Sequence, residues 1–252
     1  GQDSPFFLSL HYTAPHWPWE TRDDEALAQE VKNNLFHLHG GNIHTYRRMI
    51  GHMDEGIGWL MDALHRNGQA GNTLVVFTSD SGGERFSENW PLVGGKMDLT
   101  EGGIRVPWIA HWPAAIPAGT VSTQHCMSMD WSATLLDVGG GHAHPDWPLD
   151  AVSLATVLRD PAQCFERPLY WRMQHRNQRA LRKGDWKYLR VDNHDYLFNL
   201  RQDARERANL AQREPALLQT LRDAWEAWDT TVPAIPEDAA VSLGYSSQDM
   251  PQ

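Results

Sequence analysis

The sequence is poor in cysteine, it carries few cationic side chains, and it contains no long apolar run. Its 252 residues include only Cys126 and Cys164, which form neither a disulfide framework nor a cysteine-rich metal site. Lys and Arg number 22 against 32 Asp and Glu, and the net charge of -10 argues against a nucleic-acid partner. No apolar run approaches the roughly 20 residues of a membrane-spanning helix. We therefore expect a protein that binds no nucleic acid and has no membrane span.

The hydrophobic residues, 41% of the chain, occur in short runs that predict an α/β fold. The β-branched run at residues 74–78 predicts a buried parallel strand, and residues 5–10 and 106–111 predict two more strands. Residues 45–65 carry apolar side chains at intervals of three and four, which is typical of an amphipathic helix. Trp59 falls within this helix, and core packing is the simplest interpretation of it.

Beyond residue 163 the pattern changes to shorter strands followed by a helix. Four strands are predicted, at residues 169–172, 178–182, 186–191 and 196–199. Lys183-Gly184-Asp185 indicates a tight hairpin, and Pro215 opens a helix. We predict three parts, which are an α/β domain at residues 1–163, a small α+β subdomain at residues 164–235, and a flexible tail at residues 236–252.

Three glycine-containing segments carry the candidate functional side chains. They are Ser79-Asp80-Ser81-Gly82-Gly83, Gly94-Gly95-Lys96 and Glu101-Gly102-Gly103-Ile104-Arg105-Val106-Pro107. The carboxyl end of a strand is where open α/β sheets place ligands, and the Asp80 carboxylate is a hard ligand suited to Ca²⁺ or Mg²⁺. Glycines let the backbone approach an anion closely, and Lys96 supplies a positive charge.

The order of these segments resembles the sulfatases of the alkaline-phosphatase superfamily. The resemblance includes PFFLSLHYTAPHWPWE at residues 5–20 and RALRKGDWKYL at residues 179–189, and it extends over roughly residues 4–210. It implies the C-terminal portion of a mostly parallel sheet flanked by helices, followed by a small C-terminal antiparallel sheet with a helix. It also implies hydrolysis of a sulfuric ester by a formylglycine nucleophile beside a Ca²⁺ or Mg²⁺ ion.

The resemblance implies roles for four side chains. His16, in Ala14-Pro15-His16, is expected to bind the ester or to protonate the leaving oxygen, since histidine exchanges protons near neutral pH. Lys96 is expected to neutralise charge on the sulfate oxygens in the transition state. Asp80 is expected to bind the divalent cation. Ser81 stands where the family has Asn or His, and its hydroxyl is a weaker metal ligand than an amide oxygen.

Substrate selection is expected from loops around these residues, because loops at the ligand end of a sheet vary most. The candidates are Trp17, Glu84, Arg85 and Trp90. Aromatic faces suit sugar rings, so we expect a sulfated glycan as partner, with a sulfated small molecule also open. Glu101 and Arg105 are expected to pair and hold their loop. The resemblance suggests a periplasmic or secreted parent protein.

One part of the family pattern has no counterpart in these 252 residues. The formylglycine of sulfatases arises from a Cys or Ser in the pattern C/S-x-P/A-x-R, which neither cysteine nor any serine of this chain fits. We therefore expect this chain to be the downstream part of a sulfatase, inactive alone, with its nucleophile in an upstream part. Two alternatives stay open, a phosphodiester or phosphonate hydrolase of the same superfamily and a non-catalytic glycan-binding relative.

Overall fold

The computed structural model describes residues 4–26, 29 and 41–236 of the chain. The flexible tail predicted at residues 236–252 lies outside the described residues, apart from Pro236. Within the described ranges, no helix has both the length and the apolar character that crossing a membrane would require.

The chain divides into two compact units. The described residues up to Gln69 belong to the first unit, and those from Ala70 to Pro236 belong to the second. The domain boundary predicted between residues 163 and 164 falls inside the second unit and stays a prediction.

Helix α1, Ile43–Arg66, is the main described element of the first unit. It begins after Asn42, whose side chain accepts hydrogen bonds from two backbone amides of the first turn. Met49 and Leu64 are buried on the apolar stripe that the sequence predicts. The predicted helix is therefore confirmed, with one or two extra residues at each end.

Two other predictions for the first unit are wrong. Residues 5–10 are predicted as a buried strand, but they form no strand, and side chains such as Phe7 are exposed. A strand needs a hydrogen-bonded neighbour, and no strand of the described chain pairs with this segment. Trp59 is 64% exposed, with the Arg22 guanidinium 5.6 Å from its ring centre. Apolar composition alone does not determine which face of an element is covered.

The first sheet of the second unit has two strands, β1, Val75–Thr78, and β2, Trp108–His111. They pair antiparallel, with Val75 opposite His111 and Thr78 opposite Trp108. The sequence predicts both strands. The prediction that β1 is a buried parallel strand is wrong, because β1 pairs antiparallel with β2. The apolar side chains of β1 are only half-buried. An apolar run indicates a strand without specifying the direction of its neighbour.

Helix α2, Glu101–Ile104, lies between β1 and β2 in the chain. Two further short helices, α3, Asp130–Val138, and α4, Ala155–Arg159, follow β2 and lead to the C-terminal part. Buried Asp130 forms an ion pair with Arg167. Its carboxylate also accepts hydrogen bonds from the backbone amides of Met127, at 2.7 Å, and Val152, at 3.0 Å. These bonds satisfy both carboxylate oxygens and fasten α3 to the segment that leads into α4.

The C-terminal part is a four-stranded antiparallel sheet followed by a helix. The elements are β3, Leu169–Met173, β4, Gln178–Lys183, β5, Trp186–Val191, β6, His194–Asn199, and α5, Pro215–Asp229. The strands pair in chain order, and Gly184 turns the central hairpin at a φ of 56°. The α/β class and the small antiparallel sheet with its helix are therefore confirmed.

Alternate residues of this sheet form two apolar clusters, one on each face. On one face, Leu181, Tyr188 and Leu197 pack against Leu221 and Trp225 of α5. On the opposite face, Ala180, Leu189 and Phe198 pack against Leu99, from the loop that precedes α2. The period of two residues in a strand separates these sets. The sheet therefore supports the loop that carries the glycine-rich motifs.

Candidate functional site

The turn after β1 presents the predicted metal ligands. Asp80 is exposed, two residues beyond the end of the strand. The Ser81 hydroxyl donates to the carbonyl of Gly82 at 3.3 Å, and the Ser79 hydroxyl donates to the carbonyl of Ser81 at 3.0 Å. These local hydrogen bonds hold the turn in which the Asp80 carboxylate faces solvent.

A backbone hydrogen bond between glycine residues joins this turn to helix α2. The amide of Gly82 donates to the carbonyl of Gly103 at 2.8 Å, and the amide of Gly102 donates to Val93 at 2.8 Å. A Cβ atom on Gly82 would lie 1.8 Å from the Gly102 carbonyl oxygen, and one on Gly102 would lie 2.4 Å from that of Val93. Side chains at these positions would collide with backbone, so the close approach requires glycine.

Asn89 joins the turn to the loop that carries Lys96. Its side-chain oxygen accepts from the Gly83 amide at 3.1 Å, and its side-chain nitrogen donates to Gly83 at 3.0 Å and Gly94 at 3.2 Å. The backbone amide of Lys96 also donates to Gly83, at 3.1 Å. Lys96 is therefore held against the residues that directly follow Asp80 and Ser81.

Three of the predicted substrate-binding residues lie on the same loops. Glu84 and Arg85 are exposed, and the Lys96 ammonium, with its side chain 28% exposed, lies 3.9 Å from the Glu84 carboxylate. A partly exposed pair at this distance contributes little to stability. Trp90 is 66% exposed, and the Arg205 guanidinium lies 3.9 Å from the centre of its ring. The structure therefore gathers the predicted residues between 80 and 96 on interlocked loops.

A buried ion cluster lies beneath these loops. Lys187 of β5, with no exposed side-chain surface, places its ammonium 2.9 Å from Glu101 and 2.8 Å from Glu206. Arg182 of β4 lies 3.3 Å from the other oxygen of Glu101, and the Glu206 carboxylate accepts from the Glu101 amide at 2.7 Å. Glu101 is structural, as predicted, but its ion-pair partners are Lys187 and Arg182 instead of Arg105.

The C-terminal sheet also holds the backbone next to Lys96. The buried side chain of Gln178, at the start of β4, donates to the carbonyl of Met97 at 2.8 Å and accepts from the amide of Leu99 at 2.9 Å. Met97 has a φ of 71°, an uncommon conformation for a residue with a side chain. Gln178 and the apolar contact of Leu99 stabilise this conformation beside Lys96.

Burial shifts the pKa of several groups in and around the cluster, among them Glu206 and His125. It raises the pKa of the Glu206 carboxyl, and the ion pair with Lys187 and the hydrogen bond from the Glu101 amide oppose the rise. Burial and the Arg182 guanidinium lower the pKa of His125, whose Nε2 lies 2.6 Å from Arg182. Since the guanidinium can only donate, Nε2 accepts, and the neutral ring carries its proton on Nδ1.

His16 and Trp17 lie in the first unit. Nδ1 of exposed His16 donates to the carbonyl of Trp17 at 2.6 Å, and the two rings lie 4.9 Å apart. The amide of His16 donates to Thr13 at 2.8 Å, so the histidine sits in a closed turn. With Nδ1 engaged as a donor, Nε2 is the nitrogen of neutral His16 that can accept a proton.

The described residues do not fit a complete metal site. Ca²⁺ takes roughly six to eight oxygen ligands, most of them carboxylates and carbonyls. No group of three or more His, Cys, Asp or Glu side chains is placed to hold a metal within the described ranges. Asp80 and Ser81 therefore supply at most part of a coordination sphere.

A cavity of about 620 Å³ lies elsewhere, between the C-terminal sheet and the end of α5. Arg172, Arg179, Trp225 and Asp229 are among its lining residues, and none of the predicted site residues lines it. Arg172 pairs with Asp229 at 2.9 Å, and Arg179 stacks over Trp225 at 4.8 Å. These contacts link the sheet to α5. They are structural contacts, and these four residues do not form a catalytic arrangement.

Sequence reasoning missed four residues that support the site, Asn89, Gln178, Lys187 and Glu206. Lys187 offers the clearest signal, because it follows Trp186 and precedes Tyr188 and Leu189 in a strand with mostly bulky apolar side chains. A charged residue in such a strand predicts a buried partner of opposite charge. The sequence does not reveal that the partners are Glu101 and Glu206.

A family model described as Sulfatase matches residues 1–141 of the chain. A sulfatase of Formosa agariphila is 29% identical over 241 residues, which cover 85% of this chain and 43% of the relative. The N-acetylgalactosamine-6-sulfatase of Sus scrofa is 35% identical over 174 residues, which cover 66% of this chain and 31% of the relative.

The fold also resembles a solved structure, that of Ps i-CgsB in complex with k-i-k-neocarrahexaose. The TM-score is 0.76 at 30% sequence identity, and the match covers 90% of this chain and 50% of that chain. The chain therefore spans half or less of the length of these three proteins.

Proposed function

Since this chain belongs to the sulfatase family, we propose that the protein to which it contributes hydrolyses sulfuric esters. The observation that carries the proposal is the position of Lys96, held by hydrogen bonds through Gly83 beside the turn of Asp80. A lysine in a glycine-rich loop offers a point charge to the oxygens of a tetrahedral anion. Fixing the loop in advance avoids reorganisation when charge develops in the transition state.

His16 is the proposed proton-exchanging or ester-binding residue. Its Nδ1–H donates to the carbonyl of Trp17, so in the neutral ring Nε2 is the nitrogen that carries no proton. A general acid of this kind contributes typically about 10²- to 10⁴-fold to a rate. The role of His16 rests on the family pattern and on this tautomer.

Asp80 is proposed to contribute one carboxylate to a divalent cation, Ca²⁺ or Mg²⁺, with Ser81 as a weak or water-mediated ligand. Such a cation would stabilise negative charge on the reacting groups. The remaining ligands and the formylglycine nucleophile are proposed to come from outside these 252 residues, which contain no C/S-x-P/A-x-R pattern. Burial raises the pKa of Cys126 to about 11, so its thiol stays protonated near neutral pH. We therefore propose that this chain alone is inactive.

The proposed substrate is a sulfated carbohydrate. Exposed Trp90 offers an aromatic face in the site loops, where a sugar ring can stack. The Ps i-CgsB structure contains a neocarrahexaose, and the Sus scrofa relative is named for a sulfated amino sugar. A periplasmic or secreted location, where sulfated polysaccharides are encountered, is part of the same proposal.

The test compares sulfate release by the full-length protein and by its Lys96→Ala variant on a sulfated carrageenan oligosaccharide, measured by ion chromatography. We expect the variant to lose about 10²- to 10³-fold in kcat, the usual loss when one group that stabilises transition-state charge is removed. Lys183→Ala, at an exposed position of the β4–β5 hairpin, is the control and should match the wild type. Wild-type turnover by Lys96→Ala, or sulfate release by the 252-residue chain alone, contradicts the proposal.

A further inference from the structure

The Arg205 guanidinium stacks on Trp90 at the edge of the candidate site. Its carbon Cζ lies 3.9 Å from the ring centre, within the range of a cation–π contact. Trp90 still keeps 66% of its surface exposed, so the stacked pair forms a solvent-facing surface. The two residues come from distant segments, the loop after β1 and the loop after β6.

Arg205 differs from neighbouring cationic side chains in its recorded ion pairs. Within the described part of the chain Arg205 forms no ion pair, and its Nε atom is buried without a hydrogen-bond partner. By contrast, nearby Arg201 has Asp185 at 3.8 Å, and Lys96 has Glu84 at 3.9 Å. A guanidinium without an acidic partner retains donors for an anionic ligand.

The backbone that presents Arg205 is held in place by the buried ion cluster. The next residue, Glu206, has a φ of 50°, which is uncommon for a residue with a side chain. Its carboxylate accepts from the Glu101 amide at 2.7 Å and lies 2.8 Å from the Lys187 ammonium. Those contacts hold the uncommon conformation and thereby the direction in which Arg205 leaves the backbone.

Two other cationic residues, in the loops between β1 and α2, are also followed by a residue with a positive φ. Phe86, with a φ of 68°, follows Arg85, and Met97, with a φ of 71°, follows Lys96. Residues held in sparsely populated backbone conformations cluster at ligand-binding sites. Arg205 therefore shares with both predicted site cations a backbone feature that the surrounding structure maintains.

We propose that Arg205 is a specificity-determining residue, which forms with Trp90 a subsite for a second anionic group of the substrate. The group is a sulfate or carboxylate on a sugar unit next to the one that carries the scissile ester. The guanidinium binds the anion through paired N–H donors, and the exposed part of Trp90 contacts the sugar ring. This inference rests on the proposed function and extends it to the substrate class, an oligosaccharide with more than one anionic group.

The experiment compares two probes on the full-length protein, 4-nitrophenyl sulfate, with one anionic group, and a carrageenan hexasaccharide, with several. Arg205→Ala should raise KM for the hexasaccharide about tenfold or more, since a charge-assisted hydrogen bond is lost, with kcat unchanged. KM for 4-nitrophenyl sulfate should change less than about twofold. Arg205→Lys should fall between the wild type and Arg205→Ala, because it keeps the charge without the planar donors.

Arg201→Ala is the matched control, since Arg201 lies on the same loop with its side chain 80% exposed, and it should behave as the wild type. Equal KM changes for both probes, or none for the hexasaccharide, would overturn the inference. Isothermal titration calorimetry with the hexasaccharide tests the subsite independently of the proposed hydrolytic function. Wild-type binding that Arg205→Ala weakens supports the subsite even if no sulfate is released, and absence of wild-type binding overturns it.

Discussion

The ammonium of Lys187 lies 2.9 Å from a carboxylate oxygen of Glu101, although 86 residues separate the two in the chain. Both side chains are buried, and Glu206 completes the contact at 2.8 Å from the same ammonium. One strand of the C-terminal sheet thus neutralises the carboxylate that begins helix α2. The glycine-rich loops depend on this sheet for their conformation.

Replacing Lys187 by Met should destabilise the protein by about 3–5 kcal/mol, because two buried carboxylates lose their shared cation. Urea unfolding followed by circular dichroism measures the change. Lys183→Met, at the exposed end of the same hairpin, is the control and should alter stability by less than about 0.5 kcal/mol. Adding Glu206→Gln to Lys187→Met should restore part of the lost stability. Equal stabilities of Lys187→Met and Lys183→Met would contradict this account.

Gly82→Ala should prevent the loop from closing on helix α2. The new Cβ would lie 1.8 Å from the Gly102 carbonyl oxygen, and backbone on both sides would have to move. We expect a large loss of thermal stability or failure to fold, measured by calorimetry. Gly71→Ala is the matched control, since a Cβ there meets nothing within 4 Å, and a similar melting temperature for both variants would refute the steric explanation.

Asn89→Ala should loosen the loop of Lys96 without affecting the C-terminal sheet. It removes three hydrogen bonds to the backbone of Gly83 and Gly94, and we expect a loss of about 1–3 kcal/mol. Hydrogen exchange measured by mass spectrometry should become faster at residues 82–98 and stay unchanged at 178–199. Asn193→Ala, in the exposed turn before β6, is the control, and uniform acceleration across both regions would argue against a local role.

His125 should make stability depend on pH. Burial and the Arg182 guanidinium lower its pKa in the folded protein below the ordinary 6.5, so the unfolded chain binds the proton more readily. The stability that depends on neutral His125 is fully present above pH 6.5, and it is lost as the pH falls through the pKa of His125 in the folded protein. The difference in unfolding free energy between wild type and His125→Gln, measured from pH 8 to pH 5, should therefore decrease. Exposed His194→Gln is the control, and a difference independent of pH would contradict the assignment.

The elements with strong periodicity could be predicted from the sequence. Helix α1 and the strands β3 to β6 match their predictions closely, because one apolar face or alternating apolar residues must be covered. The antiparallel pairing of β1 with β2 could not be predicted in the same way. A short apolar run carries no information about the direction of the adjacent strand.

The candidate site could be predicted only in part. The motifs pointed to Asp80 and Lys96, and the structure joins their loops through Gly83 and Asn89. The supporting contacts could not be anticipated, because Gln178 and Lys187 act across more than 80 residues of sequence. Arg205 lies in a loop without periodicity or motif, so only the folded arrangement reveals its contact with Trp90.

The buried contact between Lys187 and Glu101 also constrains how such proteins can recombine. A crossover placed between residues 106 and 168 would take Glu101 from one parent and Lys187 and Glu206 from the other. Unless both parents carry the same charges there, the hybrid inherits an unneutralised buried ion. Between parents that differ in these charges, chimeras intended to exchange the glycine-rich loops must therefore exchange the C-terminal sheet with them, and the two segments are expected to be inherited as one block.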